Sequence, residues 1–283
     1  MTSIGPPAPP PAELFSELPA DVEPCAPAWP AWSAPVALVA AFAIALVGQI
    51  LIALVATIGG YGIDEAPPGA LIGGTAFQDL ALIGAAVVFA GMTARPRPAD
   101  FGLRPARIGT ATGWLVLTWG AFLGFTAVWA RALGVDESTT LPEGFGVQES
   151  DAALIATAAL VTVLAPLAEE VFFRGFFFSA LRGARAPWLA AVATGVVFGG
   201  IHAGGTPKEF LVPLMVFGAG LCLLYWRTDS LYPAIVLHCL NNCLAFGFAV
   251  GWSWEVPLLM LGANAAIAAM LWPLARPRFA GAA

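Results

Sequence analysis

The chain has 283 residues, 59% of them hydrophobic and only 11% charged, with a mean hydropathy of +0.82. Soluble globular domains carry about 25% charged residues, so this composition excludes an ordinary soluble domain and indicates an integral membrane protein. The net charge of −6 argues against a nucleic-acid partner, and it comes mostly from the N-terminal tail and two loops rather than from one acidic face.

Residues 1–35 contain no Lys or Arg and cluster Pro6, Pro7, Pro9, Pro10 and Pro11. They read as a disordered, acidic, proline-rich tail with no signal peptide. An all-α membrane domain is expected over 36–275, followed by a short tail, 276–283. Eight spans are expected, at 36–58, 76–93, 108–130, 152–181, 187–202, 210–226, 231–251 and 256–274. A span needs about 20 apolar residues, so the fifth is short. The loop at 59–75 is rich in Gly and Pro and holds Asp64 and Glu65. Asp79 is expected to cap the second helix or to lie at the membrane interface. The loop at 95–107 is basic and contains Phe101-Gly102-Leu103-Arg104-Pro105; the loop at 131–151 is acidic, with Asp136, Glu137, Glu143, Glu149 and Asp151. Pro166 should bend the fourth helix. No internal repeat is seen.

Cytoplasmic loops carry an excess of Lys and Arg. Alternating eight spans puts Arg95, Arg97, Arg104, Arg107, Arg174, Arg182, Arg185, Arg227, Arg276 and Arg278 on or toward one side, against Arg131 and Lys208 on the other. Both termini are therefore expected in the cytoplasm, with the protein in the cell (inner or plasma) membrane. Cys25, Cys222, Cys239 and Cys243 form no CxxC pair; three lie in apolar helices and read as buried thiols rather than disulfide or soft-metal ligands.

The fourth span carries Ala168-Glu169-Glu170-Val171-Phe172-Phe173-Arg174 in an otherwise lipid-soluble run. Asp, Lys or Arg at a membrane helix centre costs about 2.5–3.5 kcal/mol on translocon scales, so such residues are rarely idle. Glu170 and Arg174 are four apart, the spacing of a helical ion pair. Glu169 points about 100° away and is left without that partner. The two histidines of the chain are also in spans: His202 ends Phe198-Gly199-Gly200-Ile201-His202, and His238 begins His238-Cys239-Leu240-Asn241-Asn242. Phe198 and His202 share a helix face, as do His238 and Asn242. Three helices with polar faces that must avoid lipid are expected to turn them into one intramembrane cavity.

A Glu, two His and an Asn in such a cavity suit peptide hydrolysis. Glu169 would activate water and then protonate the leaving amine; His202 would orient the water, and His238 and Asn242 would donate to the oxyanion. Glu170 and Arg174 would steady Glu169 from behind. The same groups also suit a metal site, with Glu169, His202 and His238 as zinc ligands and Glu170 as base. Taken singly, each has an ordinary structural explanation: a helix-packing histidine, a structural ion pair, interhelical glue at Asn242, packing at Phe198. Their concurrence in a chain with so few polar residues in its spans is the informative feature.

Glu-Glu-x-x-x-Arg at 169–174, Phe-x-x-x-His at 198–202 and His-x-x-x-Asn at 238–242 resemble the three motifs of the CPBP family, the type II CAAX prenyl endopeptidases and bacteriocin-processing proteins, also called Abi. All motif positions match, in order. Smaller similarities are Arg174-Gly175, Phe198-Gly199 and Arg227-Thr228-Asp229-Ser230, and the likeness covers roughly 152–251, the expected catalytic core. It implies an eight-helix glutamate-type intramembrane endopeptidase in which the first Glu is the base and both His and the Asn line the site. Many members are classed as metalloproteases, so the resemblance leaves zinc open. The implied partners are membrane lipid and a membrane-tethered substrate, a prenylated CAAX protein or a bacteriocin-like peptide.

Other protease types are disfavoured: there is no His-Glu-x-x-His, no Gly-x-Ser-x-Gly elbow, and no second intramembrane Asp to pair with Asp79. A transporter or proton-coupled protein would use the same buried groups, but neither inverted repeats nor matching helix breaks are seen. A non-catalytic scaffold on the same fold is the third reading, and the intact Glu169, His202, His238 and Asn242 set argues against it.

Overall fold

A computed structural model describes residues 29–62, 66–135 and 143–275. The proline-rich tail to residue 28 with Cys25, the acidic residues Asp64, Glu65, Asp136 and Glu137, and residues 276–283 with Arg276 and Arg278 lie outside the described residues.

The described residues form eight helices and no strand: α1 (Ser33–Ile58), α2 (Pro68–Gly91), α3 (Ile108–Leu133), α4 (Asp151–Arg182), α5 (Pro187–Ile201), α6 (Leu211–Thr228), α7 (Tyr232–Ala249) and α8 (Glu255–Ala275). Seven are long and apolar enough to cross a membrane, which makes this a multi-pass integral membrane protein. The exception is α5, whose 15 residues cover about 22 Å at about 1.5 Å each, against a hydrocarbon core of about 30 Å. It stops at His202, which occupies its C-cap.

One boundary differs in a way that matters. Helix α2 begins at Pro68, which supplies a pre-set φ at the first helical position. The segment after it looked like loop because it holds Gly69, Gly73 and Gly74. In lipid the backbone has no water to bond, so even a glycine-rich apolar stretch closes its own hydrogen bonds as helix. Asp79 is therefore mid-helix and buried; it neither caps α2 nor sits at its end.

Helix α4 is the centre. It packs against α1, α2, α5, α6, α7 and α8, and Phe172, Phe173, Phe176 and Phe178 on it are fully buried. By contrast α1 and α3 turn side chains such as Val39, Val47, Leu51, Val116 and Val128 outward, as lipid-facing helices do. Pro166 does not produce a simple bend. The helix widens into π turns on both sides of it, at Leu160–Leu164 and Glu170–Phe178.

Helices α5 and α6 run antiparallel at very close approach. A Cβ added at Gly195 would lie 2.4 Å from the Met215 carbonyl oxygen, and one at Gly199 would lie 2.7 Å from the Met215 nitrogen. This is the small-xxx-small contact of membrane helix pairs, and it brings the Phe198–His202 face and the Gly218 backbone to α4. A second junction lies at one end of the bundle. There Ser230 Oγ donates to the Arg104 carbonyl (2.6 Å), Leu231 N–H to the Gly102 carbonyl (2.7 Å), and the Arg104 guanidinium to the carbonyl and carboxylate of Asp229. The α2–α3 loop is thereby fastened to the α6–α7 turn.

Candidate active site

The polar centre begins with an ion pair set by helical spacing. Arg174 Nη1 donates to Glu170 Oε1 at 2.6 Å, and both side chains are 0% exposed. The guanidinium reaches across to α6 with its other arm, where Nη2 donates to the Gly218 carbonyl at 3.0 Å. Its carbon lies 4.4 Å from the centre of the Phe198 ring, a cation–π contact inside the bundle.

Glu170 does more than pair. The same Oε1 accepts from His238 Nδ1 of α7 at 2.8 Å. As the carboxylate of the ion pair with Arg174, Glu170 accepts and cannot donate, so His238 carries its proton on Nδ1. Its Nε2 is turned toward Glu169, 3.8 Å from Oε2. Phe198 and Phe217 set their rings against the imidazole at 5.8 and 5.6 Å between centres. His238 is thus oriented by a carboxylate on one side and walled by aromatics.

Glu169 has no such partner. Its side chain is 14% exposed, and its Oε2 is buried without a hydrogen bond. It is the acid that opens to the outside while its neighbour Glu170 is sealed. His202 sits one helix away: its Nδ1 donates to the Phe198 carbonyl at 2.7 Å, leaving Nε2 bare when the ring is neutral. It stacks on Phe198, 4.9 Å between centres, so one phenyl ring touches both imidazoles.

Asn242 is held by a different logic. In the first π turn the Ala165 N–H bonds to the Leu160 carbonyl. The next bond in that series would run from residue 166 to Val161, but Pro166 has no N–H. The freed Val161 carbonyl is taken by Asn242 Nδ2 at 2.9 Å. The amide nitrogen assigned to the oxyanion by the sequence is thus already committed to a backbone carbonyl, with one of its two hydrogens left.

The structure therefore brings Glu169, Glu170, Arg174, Phe198 and His238 into one contiguous cluster, with His202 joined to it through Phe198. Among the described residues no hydrogen bond links His202 or Asn242 to Glu169. A metal-holding arrangement is not matched either: no three His, Cys, Asp or Glu side chains gather closely enough to hold an ion among the described residues, so Glu169, His202 and His238 do not form a ready zinc cage. Cys222, Cys239 and Cys243 are buried free thiols.

Several participants were not named from sequence. The Gly218 and Val161 carbonyls and the Phe217 ring belong to backbone and core positions that carry no chemical signature. Asp79 did carry one, an acid inside a span, but the misplaced start of α2 put it at a helix end.

Residues 151–244 match a protein-family model described as type II CAAX prenyl endopeptidase Rce1-like. No curated protein and no solved structure matches the sequence. The matched segment runs from the first residue of α4 to two residues past Asn242, enclosing every member of the cluster just described. Over residues 151–244, then, the chain carries an Rce1-like domain of the type II CAAX prenyl endopeptidases, in the CPBP family.

Proposed function

We propose that the protein is an intramembrane endopeptidase that hydrolyses a peptide bond in a membrane-tethered protein or peptide, with Glu169 activating the water. The observation that carries this reading is the division of labour between two adjacent acids. Glu170 is sealed, neutralised by Arg174 and spent on His238; Glu169 is open, unpaired and faces a bare imidazole nitrogen.

The chemistry balances without a further reagent. Glu169 takes a proton from water as the oxygen attacks the carbonyl carbon. It then passes that proton to the amide nitrogen as the C–N bond breaks, giving a carboxylic acid and an amine. The bare Nε2 of His202 accepts from the water and orients it. His238, held at Nδ1 by Glu170, would serve the oxyanion from Nε2 when that nitrogen carries a proton. The remaining Asn242 N–H is the second donor.

The family match favours a CAAX-type or similar lipid-anchored substrate; a bacteriocin-like peptide is the alternative within the same chemistry. Cytoplasmic termini remain the orientation favoured by the loop arginines. Arg174 drops out of that reasoning, because it is buried in the site and not in a loop.

The test is cleavage of membrane-tethered peptides by the purified protein in detergent. Glu169→Gln should lower kcat by about 100-fold or more, the range of a lost acid–base group, with the fold intact. A zinc chelator should leave the wild-type rate unchanged. Cleavage that survives Glu169→Gln, or solute flux in liposomes without any cleavage, would overturn the reading.

A further inference from the structure

Among the described residues, Asp79 is the acid inside a membrane span that this mechanism leaves unused. It is 2% exposed, and its Oδ2 is buried without a hydrogen-bond partner. Its helix, α2, packs along the Ala165–Glu169 turn and the following π turn of α4. Asp79 and Glu169 stand on two helices packed against each other along that segment. Each carries a buried carboxylate oxygen without a hydrogen-bond partner, as Glu170 does at Oε2.

Unpaired acids are expensive in a membrane interior and are kept there for function. A lone buried polar atom costs about 1–3 kcal/mol when left unsatisfied. Two such atoms brought together are both satisfied by one proton held between the carboxyls, or by one bridging water that donates a hydrogen to each. Among the described residues no arginine, lysine or histidine forms an ion pair with Asp79; Arg174 gives Nη1 to Glu170 and Nη2 to Gly218, and His238 gives Nδ1 to Glu170.

Resting on the endopeptidase reading, we propose that Asp79 is a positioning residue for Glu169. It holds the Glu169 carboxyl across the α2–α4 interface through a shared proton or water. One Glu169 oxygen is thereby fixed and the other is aimed at the reacting water. The segment matched to the family starts at residue 151, so this residue lies outside it and extends the site to the N-terminal half of the chain.

The test uses the full chain with Asp79→Asn, Asp79→Glu and Glu169→Gln, read in two ways. In turnover, Asp79→Asn should lower kcat by about tenfold with KM within about twofold, since it disturbs a group acting in the transition state and not substrate binding. Asp79→Glu should recover part of the loss. Independently of turnover, the infrared carboxyl C=O stretch at one fixed pH should show the pair: Glu169→Gln should shift the band of Asp79, and Asp79→Asn that of Glu169. Asp79→Asn turning over like wild type, or each single variant losing its own band while the other acid's band stays where it was, would overturn the proposal. If instead Glu169→Gln cleaves normally, it is the endopeptidase reading that fails, and the infrared comparison still decides the pair. Should Asp79→Asn not fold, Glu169→Gln retains Asp79 and its band alone gives the answer.

Discussion

Arg174 neutralises Glu170, and its removal leaves that fully buried carboxylate uncompensated. Breaking a buried pair from one side costs about 3–5 kcal/mol. Arg174→Met should therefore destabilise the protein by about that much in chemical unfolding from detergent. Glu170→Gln combined with Arg174→Met should be less destabilised than Arg174→Met alone, because the stranded charge is gone. Equal losses in the single and double variants would show that Arg174 acts through packing on Phe198 instead. Half of this arrangement was legible beforehand: a Glu and an Arg four apart on a helix must meet. The other half was not. Glu170 and His238 are 68 positions apart, and no spacing rule joins two helices that touch only after the bundle closes. The tautomer of His238, and with it the role its Nε2 can take, follows from that contact.

Within α4 the sequence foretold a bend at Pro166, and the outcome is a pair of π turns. In the first of them Pro166 leaves the Val161 carbonyl without an N–H, and Asn242 from α7 takes it. The two residues should accordingly behave as one unit. Asn242→Ala in the natural chain strands the Val161 carbonyl and should cost about 1–3 kcal/mol. In a Pro166→Ala background residue 166 regains an N–H, which can take that carbonyl itself. The same Asn242→Ala change should then cost about 1 kcal/mol less, a coupling that a double-mutant cycle reads directly. Additive losses would mean that Pro166 and Asn242 act independently. Helix existence and type were readable from hydropathy because lipid forces apolar runs into helix; the start of α2 was not, because glycine signals loop only where water can bond the backbone.

The bundle as a whole must hold α2, which brings Asp79, against α4, while α5 and α7 bring His202, His238 and Asn242. The α2–α3 loop does this by docking on the α6–α7 turn, and both halves of that junction, Phe101-Gly102-Leu103-Arg104 and Thr228-Asp229-Ser230, were conspicuous in the sequence without any sign that they meet. Its parts are unequal. The Arg104–Asp229 bridge is solvent-facing, with side chains 33% and 68% exposed, and such pairs contribute about 0–1 kcal/mol. Gly102 is different. It has φ of +87°, its carbonyl accepts from Leu231, and a Cβ there would lie 2.4 Å from the Tyr225 ring. Substitution would demand both a left-handed backbone and a displaced, fully buried Tyr225. Arg104→Ala should thus leave thermal stability nearly unchanged, whereas Gly102→Ala should lower it by about 1–3 kcal/mol, the usual cost of overpacking a tight contact. Because Phe101 packs on Trp29, 5.2 Å between ring centres, and that tryptophan on Phe176 of α4, the damage from Gly102→Ala should propagate inward. Hydrogen exchange should rise along α2 and the adjoining face of α4, and not merely in the loop. Protection lost only at 98–104 would show that the loop rides on the bundle and does not brace it.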